Sequence, residues 1–256
     1  MNNKRIIYEI YFPSFTKDLK DLTNKIPYFI ELGVTTLWLT PIFPSFTEHG
    51  YDTTDYFNIK KEYGTLEDFD NFVKKAHENG LEILLDLVLC HTSSEHKMFK
   101  DSIQGKNDCY FWSDKQLDDT WKICNDNGRY YQAKWYYTMP QLNNQSEQVR
   151  DLIKDIIKFW LIDHDVDGFR LDAIKYASGD PIPFWKWFCN EVYKIKSNSY
   201  LIGECWEPFE ISNKYAKTGM KTFNFEQAGW MKNKVLHNGE FKVVNDLDNA
   251  VIFLDN

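Results

Sequence analysis

Three ionisable side chains are spaced so that they could do chemistry together. Arg170 and Asp172 lie two residues apart in Asp167-Gly168-Phe169-Arg170-Leu171-Asp172. In an extended strand, residues two apart face the same way. An arginine beside a carboxylate favours its ionised form, which a nucleophile needs. On its own, R-x-D reads more plainly as a structural ion pair at a strand end. Glu204 closes another short apolar run, Tyr200-Leu201-Ile202-Gly203. Gly203, Cys205 and Trp206 flank it, and apolar company suits a carboxyl that must hold and release a proton. Taken alone, Glu204 reads equally well as a strand-end acid paired for stability. An ionised and a protonated carboxyl at neighbouring strand ends could cleave a glycosidic bond through a covalent intermediate.

The elements that must position these groups alternate in period. Residues 6–11 alternate with β-branched and aromatic side chains, which predicts a strand. Leu22 to Leu32 has helical apolar spacing, with Pro27 implying a kink or a late start, and Gly33 ends it. Residues 34–39 form a second predicted strand. Thr65-Leu66-Glu67-Asp68 resembles a capping box ahead of the apolar face Leu66, Phe69, Phe72, Val73 and Ala76. Residues 81–89 read as a buried parallel strand. A helix from Ser146 feeds the strand 167–171, and another, carrying Trp185, Phe188 and Val192, feeds 200–204. Residues 221–225 and 250–254 are two further short strands. Strands alternating with helices predict a parallel sheet, and polar residues recur at the strand ends. No G-x-G-x-x-G turn marks an open nucleotide-binding sheet, so a (β/α)8 TIM barrel of the α/β class is favoured. About seven of its strands are countable. Residues 92–145 break the rhythm and are rich in Trp, Tyr, Asp and Asn; they are expected to form a small inserted unit, because structureless loops of that length are rare. The barrel is then assigned residues 1–91 and 146–256.

Bulk properties exclude several classes. A chain of 256 residues with 43% hydrophobic and 27% charged residues is expected to be globular. Its formal net charge of −8, with no basic run, argues against nucleic acid as a partner. No apolar stretch reaches membrane-spanning length, and the start is too polar for a signal peptide, so a cytoplasmic protein is expected. Cysteines at 90, 109, 124, 189 and 205 are odd in number and scattered, which argues against a disulfide framework. Cys90, His91 and His96 lack a CxxC partner, so no metal is expected there.

Five segments, in order, resemble the α-amylase family of glycoside hydrolases. Asp86-Leu87-Val88-Leu89-Cys90-His91 looks like the first family motif, D-x-x-x-N-H. Met139-Pro140-Gln141-Leu142-Asn143 is similar to the M-P-D-L-N motif that closes the family's inserted domain B. Gly168-Phe169-Arg170-Leu171-Asp172-Ala173 resembles the nucleophile motif, and Gly203-Glu204 followed by Trp206 the acid/base motif. His49-Gly50-Tyr51-Asp52-Thr53-Thr54-Asp55-Tyr56 resembles the loop lining the terminal sugar subsite. The resemblance implies Asp172 as nucleophile, Glu204 as acid/base and Arg170 as the group holding Asp172 ionised. It implies that His91 donates to a sugar hydroxyl and that Tyr51 stacks on that sugar. Asp52 would bind its hydroxyls or a nearby Arg, and Lys175 would reach the next sugar. Asp86 is expected chiefly to fix its strand end. The implied activity is retaining hydrolysis of α-glucosidic bonds in maltodextrin, starch or glycogen, with an oligo- or polysaccharide as partner. Transglycosylation or sugar isomerisation uses the same carboxylates, and a non-catalytic relative is the alternative outside enzymology.

Two departures qualify what the resemblance implies. Cys90 stands where the family often has a calcium-binding Asn, and Tyr176 where calcium-binding members commonly have His. Calcium prefers oxygen ligands, so none is expected there, and no cofactor is expected at all. The family's last motif often reads F-x-x-N-H-D, whose Asp is a third catalytic carboxylate. Here the sequence reads Val251-Ile252-Phe253-Leu254-Asp255-Asn256. A truncated barrel is therefore expected, with little hydrolase activity by itself and with a completing segment or second chain supplying the rest.

Overall fold

A computed structural model describes residues 5–229 and 250–251. Seven strands form one sheet: β1 (Ile7–Ile10), β2 (Thr36–Leu39), β3 (Glu82–Leu87), β7 (Gly168–Leu171), β8 (Tyr200–Gly203), β9 (Lys221–Phe223) and β10 (Ala250–Val251). They pair in chain order, and every pairing is parallel. Three short strands, β4 (Trp112–Ser113), β5 (Trp121–Ile123) and β6 (Tyr130–Gln132), make a separate antiparallel sheet with β6 in the middle. This second sheet lies within the aromatic stretch after β3. Its ring contacts explain the composition: Phe99 packs on Tyr110, Trp112 and Tyr131 at 5.0, 5.7 and 5.0 Å between centroids.

Helices cover the parallel sheet. The first predicted helix is two helices, α2 (Leu19–Asn24) and α3 (Ile26–Glu31), after a short α1 (Phe12–Phe15) that the sequence does not announce. Pro27 falls in the first turn of α3, where its missing N–H costs nothing, so the late start rather than the kink is realised. The α4 helix (Leu66–Glu78) begins with the expected box: Asp68 N–H donates to Thr65 Oγ1 at 3.2 Å and Thr65 N–H to Asp68 Oδ2 at 3.1 Å. Its buried face is Phe69, Phe72, Val73 and Ala76, with Leu66 packing partly buried against it. A seven-residue α5 (Lys97–Ile103) lies in the stretch after β3. The α6 helix (Glu147–Lys158) runs into a π-turn at Phe159–Asp163, α7 spans Pro181–Ile195, and α8 spans Phe209–Ala216. Trp160, in that turn, donates to Tyr56 O at 2.8 Å and ties the turn to the loop after β2.

Register decides which side chains share the inner face. Trp38 pairs with Leu84, Asp86 with Arg170, and Arg170 with Ile202. Trp38, Leu84, Ile202 and Phe223 form a compact buried cluster of their own. Truncating Ile202 to Ala costs about 2–5 kcal/mol, the usual range for a fully buried site. Alternate residues such as Leu85, Phe169 and Leu201 face the helices. A Cβ at Gly168 would stand 1.9 Å from Tyr200 O, so β7 approaches β8 only because residue 168 has none. The strand expected at 250–254 is seen for 250–251; residues 252–256 lie outside the described residues.

Candidate active site

One guanidinium organises the inner ends of β3, β7 and β8. Arg170 is 3% exposed. Its Nη1 donates to Asp86 Oδ1 at 2.7 Å and to Asp172 Oδ1 at 2.8 Å. Its Nη2 lies 3.1 Å from Glu204 Oε1. Asp86 Oδ2 takes two more donors, Trp38 Nε1 and Tyr51 Oη, each at 3.2 Å. The Arg170 guanidinium also stands 5.0 Å from the Trp38 ring centroid and 5.9 Å from that of Tyr51. Alternation within strands brings these groups together: residues 84 and 86, 170 and 172, and 202 and 204 share the inner face.

Three carboxylates around one arginine carry excess negative charge if all are ionised, and burial resists that. Burial pushes Asp172 up to about 6, against the pull of Arg170 and with the help of Glu204. Burial likewise pushes Asp86 up to about 7, with Arg170 opposing and Asp172 and Glu204 adding to it. The ionising influence expected of Arg170 on Asp172 is present, but dehydration outweighs it. Asp172 remains largely ionised at neutral pH. Burial works against the Arg170 charge too, yet its carboxylate neighbours outweigh it and hold the guanidinium protonated.

Glu204 does not have the apolar surroundings its sequence neighbours suggest. Oε1 accepts from Trp206 Nε1 at 2.8 Å, and Oε2 from the Ala173 backbone N–H at 3.1 Å. Cys205 is buried, while Trp206 is exposed and stacks on Phe225 at 3.7 Å and 10°. Side chains alternate, so the residue two along, not the next one, meets the carboxylate.

The remaining candidates divide. Tyr51 enters the site because Gly50 turns the chain with φ +83, where a Cβ would meet Pro41 O at 2.8 Å. His91 is 3% exposed, and its Nε2 pairs with Tyr51 O at 3.0 Å, which makes Nε2 the donor and leaves Nδ1 without a partner. Burial lowers His91 to about 4, so the ring is neutral. Asp52 is not in the cluster. Its oxygens accept from Phe46 N–H at 3.2 Å, from Thr47 N–H at 3.3 Å and from the Thr47 hydroxyl, closing the loop on itself. Lys175 is also turned away, paired with Glu207 at 2.6 Å. Trp38 and Glu207 escaped the sequence reading. Trp38 is signalled only by sharing a strand parity with Leu84 and Asp86 across β2–β3, which needs the register. Among the described residues no group of three or more His, Cys, Asp or Glu could hold a metal ion.

A parallel barrel-type sheet with two acids and an arginine at adjacent strand ends defines a class of enzymes acting at the C-terminal face of such sheets. Residues 12–251 match the family model of the alpha-amylase catalytic domain, so the chain belongs to the alpha-amylase family. It is 39% identical over 258 residues to Alpha-amylase 3 of Dictyoglomus thermophilum, covering 95% of this chain and 52% of that protein. It is 30% identical over 270 residues to the 4-alpha-glucanotransferase of Thermotoga maritima, covering 97% of this chain and 60% of that protein. Among solved structures, Eubacterium rectale Amy13B superposes with a TM-score of 0.86 at 34% identity, over 92% of this chain and 52% of that one. The chain thus spans about half the length of the curated relatives it matches. No helix among the described residues is long and apolar enough to cross a membrane.

Proposed function

We propose that this chain supplies the reacting carboxylates of a retaining glycoside hydrolase acting on α-glucosidic bonds of maltodextrin, starch or glycogen. The observation that carries the reading is the shared guanidinium. Asp172 and Glu204 bind adjacent amino groups of Arg170 at 2.8 and 3.1 Å. Two carboxyls so held are close together, which suits the separation of about 5–5.5 Å used by retaining enzymes. Glu204 protonates the glycosidic oxygen while Asp172 attacks the anomeric carbon. Glu204 then takes a proton from water, which releases the sugar from Asp172. Tyr51, hydrogen-bonded to Asp86, and neutral His91, hydrogen-bonded to the Tyr51 carbonyl, suit contact with the sugar ring and its hydroxyls. Asp52 serves by shaping the loop that carries Tyr51, and Lys175 reaches a sugar only after leaving Glu207. The stretch 92–145 acts as the inserted domain, and its Trp135 packs on His91 and on Tyr176, each at 4.9 Å between ring centroids. Five buried free cysteines suit a reducing, cytoplasmic setting for carbohydrate metabolism.

A second reading, transfer of the glycosyl group to another sugar, uses the same covalent step, and one relative is named for such transfer. Both are tested by assaying the native protein on maltooligosaccharides and separating the products. Hydrolysis yields shorter chains only; transfer yields longer ones as well. D172N and E204Q should each lower turnover by roughly a thousandfold or more while oligosaccharide still binds. Binding without turnover by the unaltered protein would mean a non-catalytic relative.

A further inference from the structure

The turn that joins the two acids is held by side chains not included among the reacting groups. Ala173 follows Asp172 with a left-handed backbone, φ 47 and ψ 45. For alanine that conformation costs on the order of 1–2 kcal/mol, so its surroundings must enforce it. Its N–H lands on Glu204 Oε2 at 3.1 Å, and the next N–H, of Ile174, on Glu204 O at 3.0 Å. Its carbonyl faces the Cys90 thiol, which donates to Ala173 O at 3.4 Å from a fully buried position beyond β3. A strap from residues 141–145 covers the same turn. Gln141 Nε2 donates to Tyr176 O at 2.7 Å, and Leu142 N–H to Cys90 O at 3.0 Å. Asn144 clamps both sides: its Nδ2 donates to Leu89 O at 2.8 Å, and its Oδ1 accepts from Ser178 N–H at 2.8 Å.

The resemblance to the α-amylase family implies a calcium site at the junction these residues occupy, so the donors present must be tested against it. They are the Cys90 thiol, the side-chain amides of Gln141 and Asn144, and peptide carbonyls. Tyr176 O is already taken by the Gln141 N–H, Asn144 Oδ1 by the Ser178 N–H, and the buried side-chain oxygen left without a partner there is Gln141 Oε1. Calcium takes six to eight oxygens, usually with carboxylates among them, and a thiol is a poor ligand for it. A positive charge is also already nearby: Lys134 Nζ stands 5.7 Å from the Tyr176 ring centroid and is felt at Cys90. The set does not fit calcium.

We infer that Cys90 and Gln141 are positioning residues that fix the 173–176 turn, and through it the Asp172–Glu204 pair, by direct hydrogen bonds in place of a cation. The inference rests on the assignment of Asp172 and Glu204 proposed above. It is tested on the native protein by thermal melting with excess calcium or with EDTA, alongside kcat, KM and the pH profile on a maltooligosaccharide. Melting and kcat should be equal in calcium and EDTA. C90A and Q141A should lower kcat roughly tenfold or more with KM within about twofold. Their acid limb should move to lower pH, because a loosened turn admits water to Asp172. C90S, whose hydroxyl can donate to the same carbonyl, should recover most of the loss. Q141M, which removes the N–H donor at nearly constant volume and adds no charge, substitutes for Q141A if that variant fails to fold. Stabilisation of the unaltered protein by calcium would overturn the inference. So would C90A and Q141A with unchanged kcat and pH profile. A native protein, assayed with whatever segment or chain completes it, that cleaves no α-glucoside would refute the assignment of the acid pair, while equal melting in calcium and EDTA would still support the metal-free clamp.

Discussion

Arg170 Nη1 donates to Asp86 Oδ1 at 2.7 Å, and both side chains are almost wholly buried. A buried charge pair of this kind stabilises little by itself, but removing one member leaves the other stranded. R170A should therefore cost about 3–5 kcal/mol, read from denaturant melts. R170K keeps the charge but cannot bridge three carboxylates with a planar fork, and should lower kcat/KM by roughly a hundredfold or more. Unchanged kcat/KM in R170K would mean that the guanidinium geometry is irrelevant to the chemistry.

Trp206 serves Glu204 through one N–H, with its ring resting on Phe225. W206F keeps the ring and loses the donor. Its kcat should fall roughly two- to tenfold, equivalent to about 0.5–1.5 kcal/mol, with little change in KM. W206A also removes an exposed aromatic face suited to sugar stacking, so its KM should rise as well.

Because burial raises Asp172 to about 6, the proposed nucleophile gains a proton in mildly acid solution. The profile of kcat/KM against pH should fall as pH drops through about 6, well above the ordinary range for an aspartate. A profile flat down to pH 4 would place the nucleophile elsewhere.

Buried histidines and buried aspartates pull stability in opposite directions. Burial lowers His96 to about 4, with Asp55 opposing, so its folded form stays neutral where the unfolded chain is protonated. The stability this preserves is present above about 6.5 and lost as pH falls through about 4. Asp86, raised to about 7, does the reverse: its contribution is present below about 4 and lost as pH rises through about 7. H96Q does not titrate and retains an acceptor for the Met98 N–H, which His96 Nδ1 binds at 3.1 Å. It should shrink the stability lost between pH 7 and pH 4 by on the order of 3 kcal/mol. Denaturant melts at the two pH values measure this, and an unchanged difference would exclude His96 as an acid-sensitive group.

The strands and the convergence of Arg170, Asp172 and Glu204 were legible in the sequence, because short apolar runs ending in Arg, Asp or Glu are local signals. Asp172, Glu204 and Arg170 do converge where strand parity places them. Trp38 and the hub role of Asp86 were not legible, since they depend on which strand lies beside which and at what register. Asp52 and Lys175 were placed in the site by resemblance; in the structure each satisfies a nearby partner first, Thr47 and Glu207. The left-handed turn at Ala173 had no signal, because alanine carries no conformational hint of that kind.

Asp172 is proposed to form a covalent bond to the sugar while Glu204 handles the proton. E204Q incubated with α-glucosyl fluoride separates the two steps: fluoride leaves without an acid, but water then lacks its base. Mass spectrometry of the digested protein should find the glucosyl group on the peptide carrying Asp172. An adduct on another residue, or an inverted anomer as the first product of the unaltered protein, would contradict the account.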